Sequence, residues 1–173
     1  ADLSANPVNT EVGQRAFGSD PQKVADFVEA MTQGLQESGV AACVKHFPGL
    51  GAEAESTVLG LVLSDKTMQQ LRQTSLIPFR AAIDADAKMI LVSHLTMDRL
   101  VTGDVPASLS PEIVTDILRE ELGFDGVVIT DSLQIGAIVN LFDEKSAVLN
   151  ALKAGCDMLL EPRDLSAAAQ YIL

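Results

Sequence analysis

Three apolar runs of this chain each stop at ionisable residues, and this recurring pattern constrains the fold more than any other feature. The runs and their final ionisable residues are 40–46 with Lys45 and His46, 88–94 with His94, and 126–131 with Asp131. A short apolar run that is followed by a loop and a helical pattern is typical of a buried strand in a parallel α/β sheet. The sequence therefore predicts strands that carry functional groups at their carboxyl ends.

Helical patterns alternate with these strands along the whole chain. Asp20 and Pro21 predict the start of a first helix, whose apolar face contains Phe27 and Met31. A second helical stretch begins after Ser64 or Asp65, and Pro78 is expected to interrupt it. The remaining predicted elements are a helix from Ser110 to Gly123, a helix ending at Gly155, a strand at 157–160 and a helix at 165–173.

The rhythm of strand, loop and helix favours part of a closed barrel. All strand ends of a (β/α) barrel lie on one face, where barrel enzymes keep their active sites, so the ionisable residues should converge. A complete barrel has eight strands and about 250 residues, more than this chain supplies. We therefore expect residues 1–173 to be a single domain, the later portion of a TIM-type barrel that further polypeptide completes. A small doubly wound open sheet is the alternative.

Charge and hydropathy argue against two classes of partner. The chain has 12 basic and 24 acidic residues, a formal net charge of -12, which would repel a nucleic acid backbone or an anionic membrane surface. No apolar stretch reaches the roughly 18 residues that a membrane-spanning helix needs. We expect a soluble protein and leave open whether it is exported or stays in the bacterial cytoplasm.

Several separated motifs resemble one enzyme family. They are Lys45-His-Phe-Pro-Gly49, Pro106-Ala-Ser-Leu-Ser110, Leu118-Arg-Glu-Glu-Leu-Gly-Phe-Asp-Gly126 and Thr130-Asp-Ser-Leu133. In order and spacing they are similar to glycoside hydrolase family 3, and to its bacterial β-N-acetylhexosaminidase branch in particular. The β-glucosidase branch usually has a tryptophan after the strand-end aspartate, whereas this chain has none. The resemblance implies the later part of the family's N-terminal barrel domain.

The resemblance also implies roles for individual residues. Asp131 matches the nucleophile of a retaining glycosidase, and Lys45 and His46 match a pair that binds sugar hydroxyls. Arg15 is similar to an arginine that reaches the sugar. His94 is either a further sugar contact or a hydrogen-bonded core histidine. The implied ligand is a carbohydrate, and no cofactor or metal is expected.

One part of the family's catalytic machinery is absent from the sequence. In the hexosaminidase branch the loop after the Lys-His motif carries a histidine, then an Asp and a second His that act together as general acid/base. Leu50, Ser56 and Val58 occupy the three matching positions, and none of them can donate a proton near neutral pH. Either Glu53 or Glu55 substitutes, or another polypeptide supplies the acid, or the protein is a sugar-binding or regulatory relative without turnover.

A metal centre is a rival interpretation of the strand ends. His46, His94 and Asp131 could together ligate a metal ion, as in barrel metallohydrolases. Such sites usually add a His-x-His pair or further carboxylates on the first strands, and no such pattern is visible. The sequence therefore favours the glycosidase interpretation.

Overall fold

The computed structural model describes all 173 residues. Strands and helices alternate along the chain. The strands are β1 Cys43–Phe47, β2 Leu63–Ser64, β3 Met89–Val92, β4 Thr96–Met97, β5 Val127–Ser132 and β6 Met158–Leu160. The α-helices are α1 Pro21–Glu37, α2 Met68–Gln73, α3 Leu76–Asp84, α4 Gly136–Val139, α5 Glu144–Ala154 and α6 Leu165–Ile172. A π-type helix spans Glu112–Glu121, and short 3-10 turns lie at Gly13–Arg15 and Ala107–Leu109.

The main sheet has four parallel strands in the order β1-β3-β5-β6. This spatial order follows the chain without a reversal, whereas a doubly wound sheet reverses its strand order at the ligand crevice. A second, two-stranded parallel sheet pairs β2 with β4, and the sequence did not predict it because neither strand exceeds two residues. The sheet order is that of a barrel segment, so the predicted partial (β/α) barrel is confirmed.

Helix α1 begins as predicted. The Asp20 carboxylate accepts hydrogen bonds from the backbone N–H groups of Gln22 and Lys23, both at 3.0 Å, which satisfies the first free donors of the helix. Its packing differs from the expectation, because Phe27 and Met31 are 56% and 55% exposed. Phe27 packs against Phe17, with ring centroids 5.6 Å apart, and Met31 lines a groove together with Cys43 and Val44 of β1.

The predicted break at Pro78 is wrong. Helix α2 begins after Thr67, whose hydroxyl accepts the N–H of Gln70 in a capping box, and the chain breaks at Thr74 before α3 starts. Pro78 is the third residue of α3. Backbone N–H groups in the first turn of a helix have no partner within the helix, so the proline removes no hydrogen bond there.

The core is one continuous cluster of 35 buried apolar residues. The π-type helix contributes its predicted face, with Ile113, Val114 and Leu118 fully buried. The two outer edges of the sheet have no partner strand, and Met158 in the edge strand β6 is 46% exposed. Unpaired edges invite association. We keep the prediction that further polypeptide covers these sheet edges.

No helix in the structure combines the length and the apolar character that crossing a membrane would require.

Candidate active site

A cleft of about 500 Å³ lies at the carboxyl ends of β1 and β5. It is lined by Lys45, His46 and Asp131, three of the four residues whose convergence the sequence predicted, although up to 86 positions separate them. Parallel strands bring their carboxyl ends to one face, and this explains why residues from two distant strands meet. Arg15 joins them from the 3-10 turn Gly13–Arg15.

A larger hollow of about 810 Å³ lies at the other end of the strands. Lys88, Arg119 and Asp125 line it, close to the amino ends of β3 and β5. Active sites of (β/α) barrels lie at the carboxyl ends of the strands. Position in the fold therefore selects the smaller cleft as the candidate site.

Asp131 presents a carboxylate to this cleft from the fifth residue of β5. The backbone N–H of Ser132 donates to its Oδ1 at 2.8 Å, and no protein donor contacts Oδ2. One oxygen is therefore held in place while the other is free to meet a ligand. The side chain is partly exposed, so a ligand in the cleft can reach it.

His46 is held by a carboxylate that sequence reasoning missed. Asp2 accepts the His46 backbone N–H at 3.0 Å, contacts its ring Nδ1 at 2.7 Å and accepts the Leu50 N–H at 2.7 Å. Burial is the strongest single influence and raises the pKa of the Asp2 carboxyl, but the hydrogen bonds from His46 and Leu50 and nearby positive charge together outweigh it and hold that pKa below its usual value. The ionised Asp2 orients the imidazole with Nδ1 protonated, which leaves Nε2 free to bind a ligand in the cleft.

Formal charges in the cleft cancel. Arg15 and Lys45 contribute two cations, and Asp131 and Glu11 contribute two carboxylates. Sequence reasoning missed Glu11, which lies four positions before Arg15 in the same loop. A balanced set of donors and acceptors suits an uncharged polar ligand such as a sugar, even though the whole chain is strongly acidic.

The loop that follows β1 forms one wall of the cleft. Ser56 and Val58 line it, and Thr57 between them is fully buried. The N–H groups at the start of α4 donate to this loop, from Ala137 to the carbonyl of Thr57 at 3.0 Å and from Gly136 to that of Val58 at 2.9 Å. Position 136 must be glycine for this approach, since a Cβ there would lie 2.5 Å from the backbone of Leu59.

The two glutamates proposed as substitute acids do not line this cleft. Glu53 accepts a hydrogen bond from the Ser64 hydroxyl at 2.7 Å, in a polar group that includes Lys66. Glu55 is exposed. Neither side chain lines the cleft that contains Asp131, so geometry does not favour either as the acid that protonates the leaving oxygen.

His94 is a core residue and does not line the cleft. Its side chain is fully buried, with Nδ1 2.6 Å from the hydroxyl of Ser108 and Nε2 3.0 Å from the carbonyl oxygen of Ser132. Both ring nitrogens already have protein partners. Of the two alternatives, His94 is therefore the hydrogen-bonded core histidine and not the expected sugar contact. Its bond to the residue after Asp131 helps to position the end of β5.

Burial lowers the pKa of His94. The bond to Ser132 and the negative charges of Asp131 and Glu11 oppose this shift without cancelling it. His94 is therefore neutral near neutral pH, with Nε2–H donating to the Ser132 carbonyl and Nδ1 accepting from the Ser108 hydroxyl.

This shift predicts a pH dependence of stability. The unfolded chain protonates His94 near pH 6.5, whereas the folded protein does so only at lower pH, so the unfolded state binds more protons in between. The free energy of unfolding should fall as the pH drops below about 6.5, by at most about 1.4 kcal/mol per pH unit from this group. Denaturant titrations at several pH values, compared with His94→Gln, would measure it. Identical pH slopes for the two proteins would contradict the prediction.

The donor set does not fit a metal centre. No three His, Cys, Asp or Glu side chains cluster as metal ligands would. Both ring nitrogens of His94 are hydrogen-bonded to protein partners, and Nδ1 of His46 is hydrogen-bonded to Asp2. The ligand triad of the rival interpretation is therefore not assembled.

The comparison that decides the family covers the whole chain. Residues 1–173 match the family described as glycosyl hydrolase family 3 N terminal domain. The chain belongs to glycosyl hydrolase family 3. The resemblance seen in the sequence motifs is thus confirmed, and curated relatives named beta-hexosaminidase support the branch.

The similar proteins are longer than this chain. The beta-hexosaminidase of Stenotrophomonas maltophilia (strain K279a) is 38% identical over 165 residues, which are 92% of this chain and 49% of the relative. The chain therefore spans about half the length of the curated relatives it matches. A family 3 beta-N-acetylglucosaminidase from Paenibacillus sp. superposes with a TM-score of 0.95 at 33% identity, over 99% of this chain and 33% of that one. A beta-N-acetylhexosaminidase from Beutenbergia cavernae superposes with a TM-score of 0.86 at 35% identity, over 99% and 53%.

Proposed function

We propose that this family 3 domain forms the sugar-binding half of a retaining glycosidase that acts on terminal β-linked N-acetylhexosamine. The observation that carries the proposal is the single cleft that contains Asp131 together with Lys45, His46 and Arg15. The substrate class follows the beta-hexosaminidase and beta-N-acetylglucosaminidase names of the similar proteins.

The proposed reaction is a double displacement through Asp131. Its unpaired Oδ2 attacks the anomeric carbon, and the bond to the leaving oxygen breaks to give a glycosyl ester. Lys45 and Arg15 donate hydrogen bonds to the sugar, and Nε2 of His46 accepts one. Water then hydrolyses the ester with net retention.

Trapping the ester tests this proposal. A fluorinated N-acetylglucosamine derivative with a strongly activated leaving group should form a slowly hydrolysed glycosyl-enzyme in the intact protein. Mass spectrometry of peptides should then locate the added sugar on Asp131. Turnover of the reagent with the label on another carboxylate would overturn the nucleophile assignment.

A second candidate function is sugar binding without turnover. It is favoured by Ser56 and Val58, which line the cleft where the family's acid/base pair is expected and cannot transfer a proton. Binding of N-acetylglucosamine in calorimetry, with no hydrolysis of even an activated aryl glycoside, would support it over the glycosidase.

We also propose that the missing barrel strands come from further polypeptide. The unpaired outer edges of β1 and β6 and the exposed Phe27 and Met31 support this, as does the partial coverage of the relatives. These strands would complete the cleft around the bound sugar.

A further inference from the structure

Glu11 is the one carboxylate besides Asp131 that lines the cleft. A retaining glycosidase needs two such groups, a nucleophile and an acid that later acts as base. The other titratable lining residues are cations or the paired His46. Glu11 is therefore the remaining side chain of the right chemistry.

The contacts of Glu11 place it against the wall where an acid is required. Its carboxylate oxygens accept the backbone N–H of Thr57 and the hydroxyl of Thr57, each at 2.7 Å. Thr57 lies between Ser56 and Val58, the two positions at which the resemblance expects the acid/base pair. Glu11 thus brings a carboxyl group to the same short segment from a different part of the chain.

Glu11 and Asp131 line the same cleft, so both carboxyl groups are open to a ligand there. Their charges also both oppose the lowering of the His94 pKa by burial.

We propose that Glu11 is the general acid/base of this cleft and replaces the absent Asp/His pair of the loop. This assignment rests on the proposed glycosidase function. In the first step Oδ2 of Asp131 bonds to the anomeric carbon, the glycosidic bond breaks, and the leaving oxygen takes the proton of Glu11. In the second step water bonds to the anomeric carbon and passes a proton to Glu11, and the ester bond to Asp131 breaks.

The hydrogen bonds of Glu11 are compatible with both of its states. A hydroxyl both donates and accepts, so Thr57 Oγ1 can donate to the carboxylate and accept from the carboxylic acid after a rotation of its O–H. The backbone N–H of Thr57 keeps the side chain in place throughout.

Glu11→Gln in the intact protein tests the assignment with two substrates. Hydrolysis of an alkyl β-N-acetylglucosaminide, whose leaving group needs a proton, should fall by roughly 10²- to 10⁴-fold. Formation of the glycosyl-enzyme from an activated aryl glycoside should persist, because that leaving group needs little protonation. Azide needs no general base, so it should restore turnover of the aryl glycoside and give the β-glycosyl azide.

Two matched variants separate catalysis from loop positioning. Thr57→Val removes the side-chain bond to Glu11 and keeps the backbone bond, so it should reduce turnover by only a few-fold if Glu11 acts chemically. Glu120→Gln makes the same substitution at an exposed site outside the cleft and should leave turnover unchanged.

The outcomes distinguish this proposal from the proposed function. Two results for Glu11→Gln would overturn the role of Glu11: equal losses on both substrates without azide rescue, or unchanged hydrolysis. If Asp131 were still labelled in the wild-type protein, the glycosidase proposal would stand in either case. A wild-type protein that hydrolyses neither substrate and is not labelled would overturn both.

Discussion

Replacing Asp131 with asparagine should reduce hydrolysis of an activated aryl β-N-acetylglucosaminide by roughly 10⁴-fold or more, as expected for loss of a covalent nucleophile. An amide oxygen does not attack the anomeric carbon, yet it can still accept the Ser132 N–H that holds Oδ1. The loss should therefore appear in turnover and not in folding. Steady-state kinetics with thermal unfolding of the same samples would measure both.

Asp125→Asn is the matched control for this variant. Asp125 is exposed and lines the hollow at the opposite end of β5, so its substitution should leave kcat/KM unchanged. If Asp131→Asn kept wild-type activity, the nucleophile assignment would be wrong. A loss confined to KM would instead indicate that Asp131 only binds the sugar.

Restoring the family's acid/base pair should rescue a protein that lacks Glu11. Ser56 and Val58 both line the cleft, and Val58 is 51% exposed, which leaves space for an imidazole. In the Glu11→Gln background, Ser56→Asp combined with Val58→His should raise hydrolysis of an alkyl glycoside by roughly 10²-fold, within the usual contribution of acid–base catalysis.

The control for this rescue keeps the shape and removes the charge. Ser56→Asn with Val58→His, in the same background, should give a much smaller rise, because the imidazole then lacks its carboxylate partner. Equal rates for the two combinations would show that shape and not proton transfer causes the change. No rise in either would mean that this loop does not reach the leaving group.

The strand-end residues illustrate what local pattern predicts well. A buried parallel strand corresponds to a short apolar run in the sequence, and the end of that run indicates the carboxyl end of the strand. The ends of β1 and β5 therefore identified Lys45, His46 and Asp131, and parallel topology implied that they converge. Arg15 lies in a loop, and only the motif resemblance pointed to it.

His94 and Glu53 show where that reasoning fails. Both lie next to or within apparent site motifs, but the direction of a side chain depends on what packs against it. His94 follows the end of β3 and turns inward because Ser108 and Ser132 offer partners for both nitrogens. Glu53 turns toward Ser64, and no periodicity in the loop could have indicated this.

The amino-acid sequence alone determined the alternation of strands and helices, the family, and the absence of the usual loop acid. These follow from local apolar periodicity and from motifs that are contiguous in the chain. Only the tertiary structure decided that Asp2 supports His46 and that Glu11 reaches Thr57, across separations of 44 and 46 positions. Loop residues carry no periodic signal, so their partners are set by the packing of distant segments, which no local pattern records.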